Sequence, residues 1–113
     1  METHRVFIGA GSNLGNRTEN LTLAGQLLLP AVSILRTSPI YQTQPWGYSN
    51  QPDFYNLVWE ARTTLPPQSL LSYLKAIERK MKREETFRYG PRVIDLDILL
   101  YDNLCYQSDN LTI

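Results

Sequence analysis

The spacing of apolar residues divides the chain into short strands and two amphipathic helices. Alternating or short apolar runs that end at turn-forming residues predict strands. These runs cover residues 6–8, 32–42 (interrupted at Pro39), 54–63 and 93–101. Apolar residues that recur every three or four positions predict helices. The two helical stripes are Leu21, Ala24, Leu27 and Leu28, and then Leu70, Leu74, Ile77 and Met81.

Capping and proline residues predict where these helices begin and end. Asn16 can cap the first helix, with Glu19 three residues later as its reciprocal partner, and Pro30 ends it. Pro66 and Pro67 open the second helix, where a missing N–H group costs little. Residues 9–13, 44–53 and 82–91 are predicted as loops, and residues 104–113 carry only a weak strand pattern.

The resulting order is strand, helix, strand, strand, helix, strand. This order predicts a ferredoxin-like α+β sandwich, with a four-stranded antiparallel sheet and two helices on one face. The chain of 113 residues is expected to form one domain, residues 1–113. The opposite face of such a sheet is open.

Composition narrows the functional classes. Eleven basic and eleven acidic residues cancel, which argues against a general nucleic-acid binder. One cysteine, Cys105, and one histidine, His4, are too few for a structural zinc site. The absence of an apolar N-terminal segment predicts a cytoplasmic protein without a membrane partner.

Two aspartates interrupt the most apolar predicted strand. Strand alternation places Asp95, Asp97, Leu99 and Tyr101 on the open face and Ile94, Leu96, Ile98 and Leu100 towards the helices. Carboxylates one pleat apart, roughly 6.6 Å between Cα atoms, repel each other unless a cation lies between them, and oxygen ligands suit Mg²⁺. The alternative is that an exposed sheet face simply tolerates charge.

Basic and aromatic residues near the aspartates extend the possible site. Arg88 and Arg92 flank a rigid turn before the strand, and arginines beside metal-binding carboxylates suit a nucleotide triphosphate. Helix-end cations such as Arg79 and Lys80 have an ordinary explanation in the helix dipole. Flat apolar side chains beside amides suit a flat heterocycle, although Phe54 could be a core residue and Trp46 a loop anchor. The group comprises Trp46, Tyr48, Phe54, Asn50, Gln51 and Asn56.

Four stretches make the chain resemble the hydroxymethyldihydropterin pyrophosphokinase family. They are "IGAGSNLGNR", "SPIYQTQPWGYSNQPDFYN", "IE" at positions 77–78, and "RYGPRVIDLDILLYD". The resemblance implies a ferredoxin-like core and transfer of diphosphate from ATP to the alcohol of 6-hydroxymethyl-7,8-dihydropterin, which releases AMP. The resemblance also implies small-molecule substrates, and we expect a monomer that binds no nucleic acid.

The resemblance also implies roles for individual residues. Asp95 and Asp97 would hold two Mg²⁺ ions, and Arg88 and Arg92 would join them as catalytic residues. Asn13 would make polar contacts in the site. The implied pterin-binding residues are Gly11, Thr43, Pro45, Trp46, Phe54 and Asn56. The implied ATP-binding residues are Lys75, Glu78, Lys82, Arg83, Arg88, Tyr89, Arg92, Ile98 and Thr112.

Other readings stay open at this stage. The family normally continues for some forty residues beyond the final "LTI", so the expectation is a family domain without its C-terminal part. Such a chain could bind ligand without turnover. An RNA-binding module shares the strand order but uses a Lys/Arg-Gly-aromatic motif that is not found here. A metal-dependent phosphohydrolase would use the same aspartates without needing the aromatic loop.

Overall fold

The computed structural model describes residues 2–45, 50–81 and 93–103. Within these ranges it has five strands and two helices. They are β1 (His4–Ser12), α1 (Arg17–Leu28), β2 (Val32–Thr37), β3 (Tyr41–Thr43), β4 (Phe54–Thr63), α2 (Pro67–Met81) and β5 (Asp95–Tyr101). The order confirms the prediction, except that the second predicted strand is divided into β2 and β3. Neither described helix is long and apolar enough to cross a membrane.

The strands form one antiparallel sheet in the order β2-β4-β1-β5, and β3 also pairs with β4. This is the predicted ferredoxin-like arrangement, with β1 near the centre. Residues 38–40 separate β2 from β3, because proline at position 39 has no N–H to donate to a neighbouring strand. Ser38 keeps the edge attached to β4, since its backbone N–H donates to Val58 O at 2.9 Å. The predicted interruption at Pro39 is therefore confirmed.

The core lies between one face of the sheet and the two helices. Both predicted helical stripes contribute to it, and all four residues of the α2 stripe are buried. Asn16 caps α1 as predicted, because its Oδ1 accepts a hydrogen bond from Glu19 N at 3.1 Å. The buried apolar residues of the strands are Val6, Ile8, Ala10, Val32, Leu57, Trp59, Ala61, Leu96, Ile98 and Tyr101.

Strand β1 is longer than its sequence predicts. The glycine-rich stretch predicted as a loop continues the strand to Ser12, hydrogen-bonded to β4 on one side and β5 on the other. Its glycines leave space for side chains that lie close above the sheet. A Cβ atom at Gly9 would lie 3.3 Å from Leu99 Cδ1, and one at Gly11 would lie 2.8 Å from Asn56 Oδ1. The loop prediction was wrong because glycine here leaves room for neighbouring side chains.

Strand β5 keeps the predicted alternation only as far as Leu99. Ile8 pairs with Ile98 while Phe7 pairs with Leu100, so Leu99 is an extra residue in the ladder. Such a bulge reverses the alternation beyond it. Leu100 is therefore 40% exposed and Tyr101 only 3% exposed, the opposite of the prediction. The Tyr101 hydroxyl donates to Leu65 O at 2.7 Å, which anchors the end of the strand.

Candidate active site

Three strands bring the predicted site residues into line across the open face. Gly11 pairs with Asn56 on β4 and with Asp95 on β5. One pleat along, Gly9 pairs with Asp97. Directly paired residues share a face of the sheet. Both aspartates are exposed whereas Leu96 between them is fully buried, which confirms their predicted orientation.

A cleft of about 380 Å³ covers this part of the sheet. Its floor is the bare backbone of β1, and side chains from β3, β4 and β5 form its walls. It brings together four residues expected to bind pterin and the two expected to bind metal. These are Gly11, Thr43, Phe54 and Asn56, together with Asp95 and Asp97.

The amide of Asn56 has a defined orientation in the cleft. Its Nδ2 donates to Thr43 Oγ1 at 2.7 Å. Its Oδ1 lies over Gly11, and the Phe54 ring is also close to this glycine. An amide oxygen accepts hydrogen bonds, and an aromatic ring offers a flat apolar surface. This corner of the cleft therefore suits a flat ring that carries N–H donors at its edge.

Glu78 links α2 to the outer edge of β5. Its Oε2 accepts a hydrogen bond from Leu96 N at 2.7 Å, and its Oε1 lies 3.2 Å from Lys75 Nζ. Leu96 is the residue between the two aspartates. Glu78 therefore holds the backbone from which both aspartate side chains project.

Acidic groups crowd together at this edge of the sheet. Although Asp97 is exposed as a residue, loss of water around its carboxyl in the cleft raises its pKa. The charge of Asp95 raises this pKa further, and Lys75 lowers it. Burial also raises the pKa of Glu78, whereas the hydrogen bond from the Leu96 N–H and the charge of Lys75 lower it. A bound cation would relieve this cost, because it favours the charged carboxylates.

The donor set fits a cation that takes some of its ligands from a substrate. No group of three or more His, Cys, Asp and Glu residues that could hold a metal occurs among residues 2–45, 50–81 and 93–103. Mg²⁺ commonly uses one or two protein carboxylates together with water and substrate phosphates. Asp95 and Asp97 fit that pattern.

The remaining predicted site residues lie elsewhere or outside the described ranges. Pro45 is half-buried just after β3, and Lys75 is exposed on α2. Ile98 lies in the core at 2% exposure, so the structure does not bring its side chain into the cleft. Seven residues fall outside the described part of the chain, namely Trp46, Lys82, Arg83, Arg88, Tyr89, Arg92 and Thr112.

Two residues near the start of α1 contact the segment that leads into β4. Asn13, expected as a polar contact in the site, is fully buried, and its Nδ2 donates to Gln51 Oε1 at 2.7 Å and Pro52 O at 3.0 Å. Arg17, which the sequence analysis did not select, donates to Asp53 O at 2.9 Å. The one sequence signal for Arg17 is a basic residue at the start of a helix, where the dipole disfavours it.

The fold and the cleft together define a ferredoxin-like α+β protein with paired carboxylates beside a pocket for a flat ring. A family model described as 7,8-dihydro-6-hydroxymethylpterin-pyrophosphokinase (HPPK) matches residues 7–113. The chain therefore belongs to this family, which confirms the resemblance seen in its sequence.

Curated relatives agree with this assignment. The chain is 43% identical over 96 residues to a 2-amino-4-hydroxy-6-hydroxymethyldihydropteridine pyrophosphokinase of Aquifex aeolicus. The matched region covers 85% of the chain and 60% of the relative. It is 42% identical to the folic acid synthesis protein FOL1 of Dictyostelium discoideum, covering 96% of the chain and 16% of the relative. It is 44% identical to a mitochondrial folate synthesis bifunctional protein of Arabidopsis thaliana, covering 97% of the chain and 20% of the relative. The chain thus spans less than two thirds of each of these relatives.

Proposed function

We propose that this protein transfers diphosphate from ATP to the hydroxymethyl group of 6-hydroxymethyl-7,8-dihydropterin and releases AMP, a step in folate synthesis. One observation carries the proposal: Asp95, Asp97 and Asn56 share a single cleft over the glycines of β1 in a chain of the HPPK family. The reaction requires a flat heterocycle and a polyphosphate to lie side by side. The two ends of this cleft offer those two environments.

The pterin is proposed to bind at the β4 end of the cleft. Phe54 would stack on the ring, and Asn56 Oδ1 would accept hydrogen bonds from its N–H groups. Thr43 would keep the amide of Asn56 in that orientation through its hydroxyl. Pro45 and Trp46 are proposed as further pterin contacts. Gly11 would let the ring approach the sheet.

The triphosphate is proposed to bind at the β5 end. Asp95 and Asp97 would hold two Mg²⁺ ions, which would supply charge neutralisation to the phosphates when bound. Arg88 and Arg92 are proposed to contact the phosphates as catalytic residues. The other proposed ATP contacts are Lys75, Glu78, Lys82, Arg83, Tyr89 and Thr112.

The chemistry places modest demands on the protein. The pterin hydroxyl attacks the β-phosphorus of ATP, the bond to the oxygen bridging the α- and β-phosphates breaks, and the hydroxyl proton passes to solvent. Positioning and charge neutralisation carry most of the rate in such transfers. Phe54, Asn56 and Gly11 would orient the attacking alcohol, while the arginines would stabilise the charge that develops on the departing AMP.

The domain organisation, location, oligomeric state and partners of the protein are proposed from its sequence. We propose that residues 1–113 act as one domain, in a cytoplasmic monomer without a membrane partner. The balanced charge of the chain argues against a nucleic-acid partner. Two small molecules, ATP and the pterin, would then be its only partners in the reaction.

The proposal is tested by incubating the protein with ATP, Mg²⁺ and the pterin alcohol and then separating the adenine nucleotides. We expect AMP to form only when the pterin is present. We expect Asp97→Ala to abolish AMP formation because it removes a metal ligand, and Glu2→Gln, at an exposed position, to leave it unchanged. ADP with free phosphate would instead indicate a hydrolase, and a parent protein that neither binds pterin nor forms AMP would overturn the proposal.

A further inference from the structure

Arg17 occupies a position that local electrostatics disfavour. It is the first residue of α1, where the positive end of the helix dipole repels a cation. Its half-buried side chain turns towards β4 instead of extending into solvent. A residue that violates a local rule in this way needs a compensating interaction elsewhere in the fold.

Two contacts with the start of β4 provide that compensation. Arg17 Cζ lies 3.8 Å from the centroid of the Tyr55 ring, close enough for a cation–π interaction. One terminal nitrogen of the guanidinium donates to Asp53 O at 2.9 Å. These contacts fall on the residues immediately before and after Phe54.

Other side chains fix the same segment from different directions. Asn13 donates to Gln51 Oε1 and to Pro52 O. Gln42 Nε2 donates to Asp53 Oδ2 at 2.9 Å. The segment that enters β4 is thus attached to β3, to the end of β1 and to α1, and Arg17 is its one attachment to the helix among these contacts.

Strand alternation connects this attachment to the cleft. Tyr55 lies on the helix side of β4, so Phe54 and Asn56 on either side of it face the cleft. Holding Tyr55 and the carbonyl of Asp53 therefore sets the position of the Phe54 ring and the Asn56 amide. β1 lies between β4 and β5, so we do not expect the contacts of Arg17 with β4 to change the positions of the aspartates on β5.

We propose that Arg17 is a positioning residue for the pterin pocket, acting through Tyr55 and Asp53 on Phe54 and Asn56. This inference rests on the proposed function, since it names a residue that determines affinity for the same ring. It goes beyond that function by predicting that affinity for the heterocycle depends on a side chain outside the cleft, while affinity for the nucleotide does not.

The test measures two dissociation constants on the same protein samples. Pterin binding is followed by its fluorescence in the presence of Mg²⁺ and α,β-methylene-ATP, and nucleotide binding is measured separately with that analogue and Mg²⁺. We expect Arg17→Ala to raise the Kd for pterin about tenfold, the scale of a lost cation–π contact, and to change the Kd for the nucleotide less than about twofold. Arg17→Lys keeps the cation but loses the planar fork, so its Kd for pterin should lie between those of the parent and Arg17→Ala.

A double-mutant cycle with Tyr55 distinguishes positioning from a general loss of stability. Tyr55→Phe keeps the ring and should bind pterin like the parent, whereas Tyr55→Leu should weaken binding as Arg17→Ala does. If the two residues act through their contact, the Arg17→Ala/Tyr55→Leu protein should bind little more weakly than either single variant. Arg62→Ala, at an exposed position near the far end of β4, is the matched control and should change neither constant.

Each other outcome has a defined meaning. An unchanged Kd for pterin in Arg17→Ala would overturn the inference while leaving the proposed function in place. Equal weakening of pterin and nucleotide binding, with a lower Tm, would show a merely structural role and would also overturn it. A parent protein that binds the nucleotide analogue but no pterin would instead overturn the proposed function on which the inference rests.

Discussion

At the scale of single residues, Gly11 shows how a missing side chain can define a binding site. It pairs with Asn56 on one side and Asp95 on the other, and the Asn56 amide and the Phe54 ring lie over it on the open face. A methyl group here would meet the Asn56 amide oxygen at 2.8 Å, a distance that Cβ atoms essentially never show. The amide would have to turn away from the position where we propose it meets the pterin.

We therefore expect Gly11→Ala to raise the Kd for pterin by about tenfold or more, because one hydrogen-bonding group would be displaced. Gly9→Ala is the matched comparison on the same strand and face. Its added methyl would meet only the flexible end of Leu99 at 3.3 Å, so we expect a clearly smaller loss. Fluorescence titration of both variants with pterin measures the difference. Equal losses in the two variants would contradict this account of Gly11.

At the scale of elements, β5 is the edge strand among the strands that the structure describes, and α2 packs beside it. Within the described part of the chain the N–H of Leu96 faces away from β1, and the carboxylate of Glu78 accepts its hydrogen bond. Covered edges resist unwanted pairing with other chains. The same bond fixes the strand from which Asp95 and Asp97 project, so the integrity of the edge and the geometry of the acidic pair depend on one side chain.

Glu78→Ala should lower the free energy of unfolding by about 1–2 kcal/mol, because the Leu96 N–H loses its acceptor. Glu78→Gln retains an acceptor oxygen for the Leu96 N–H. It also removes the charge of a carboxyl whose pKa is raised by burial. This variant should therefore unfold at a urea concentration close to that of the parent. Urea denaturation at neutral pH compares the three proteins. A glutamine variant as unstable as the alanine variant would indicate that the charge, and not the hydrogen bond, stabilises this edge.

The strands and helices also show which parts of the fold could be predicted from the sequence pattern. The α2 stripe and the alternation of β4 were predicted correctly because burial against one face imposes a regular period on the sequence. The extension of β1 was missed because glycine and serine resemble a loop until the side chains above them are known. The bulge at Leu99 was missed because an apolar run gives no sign of where its alternation reverses.

The residues of the candidate site also divide into those that the sequence could identify and those that it could not. Asp95 and Asp97 were selected because alternation along one strand places both on the open face, whereas Phe54 and Asn56 were selected from a group of flat and amide side chains and from the family resemblance. The importance of Arg17 depends on Tyr55, a residue 38 positions away in the numbering of the chain, and no local pattern reports such a contact.

At the scale of the whole molecule, one carboxylate joins three strands across the open face. Glu60 on β4 accepts hydrogen bonds from Arg5 Nε on β1 and from Arg36 Nε on β2, each at 2.6 Å. The guanidinium of Arg36, and then that of Arg5, lowers the pKa of Glu60. A carboxyl whose pKa is lower in the folded than in the unfolded state stabilises the fold above its unfolded pKa. That contribution disappears as the pH falls through the folded pKa.

Glu60→Gln should therefore be less stable than the parent at neutral pH, and the difference should shrink as the pH falls below the ordinary range for glutamate. Thermal denaturation of both proteins from pH 7 down to about pH 3 measures this convergence. Glu2→Gln, at an exposed position, is the control and should follow the parent throughout. A Tm difference that stays constant across the whole range would exclude the ionised bridge as its cause.

The position of β1 in the sheet has a consequence for biosynthesis. β1 is translated before both of the strands that pair with it, because β4 and β5 follow it in the chain by more than 40 and more than 80 residues. Until β4 has been synthesised, Val6 and Ile8 form an apolar segment with both strand edges unpaired, the kind of segment that chaperones recognise and that aggregates when left unprotected. The strand that carries the floor of the cleft is thus translated before both of its partners, and its pairing is completed only when β5 has been synthesised.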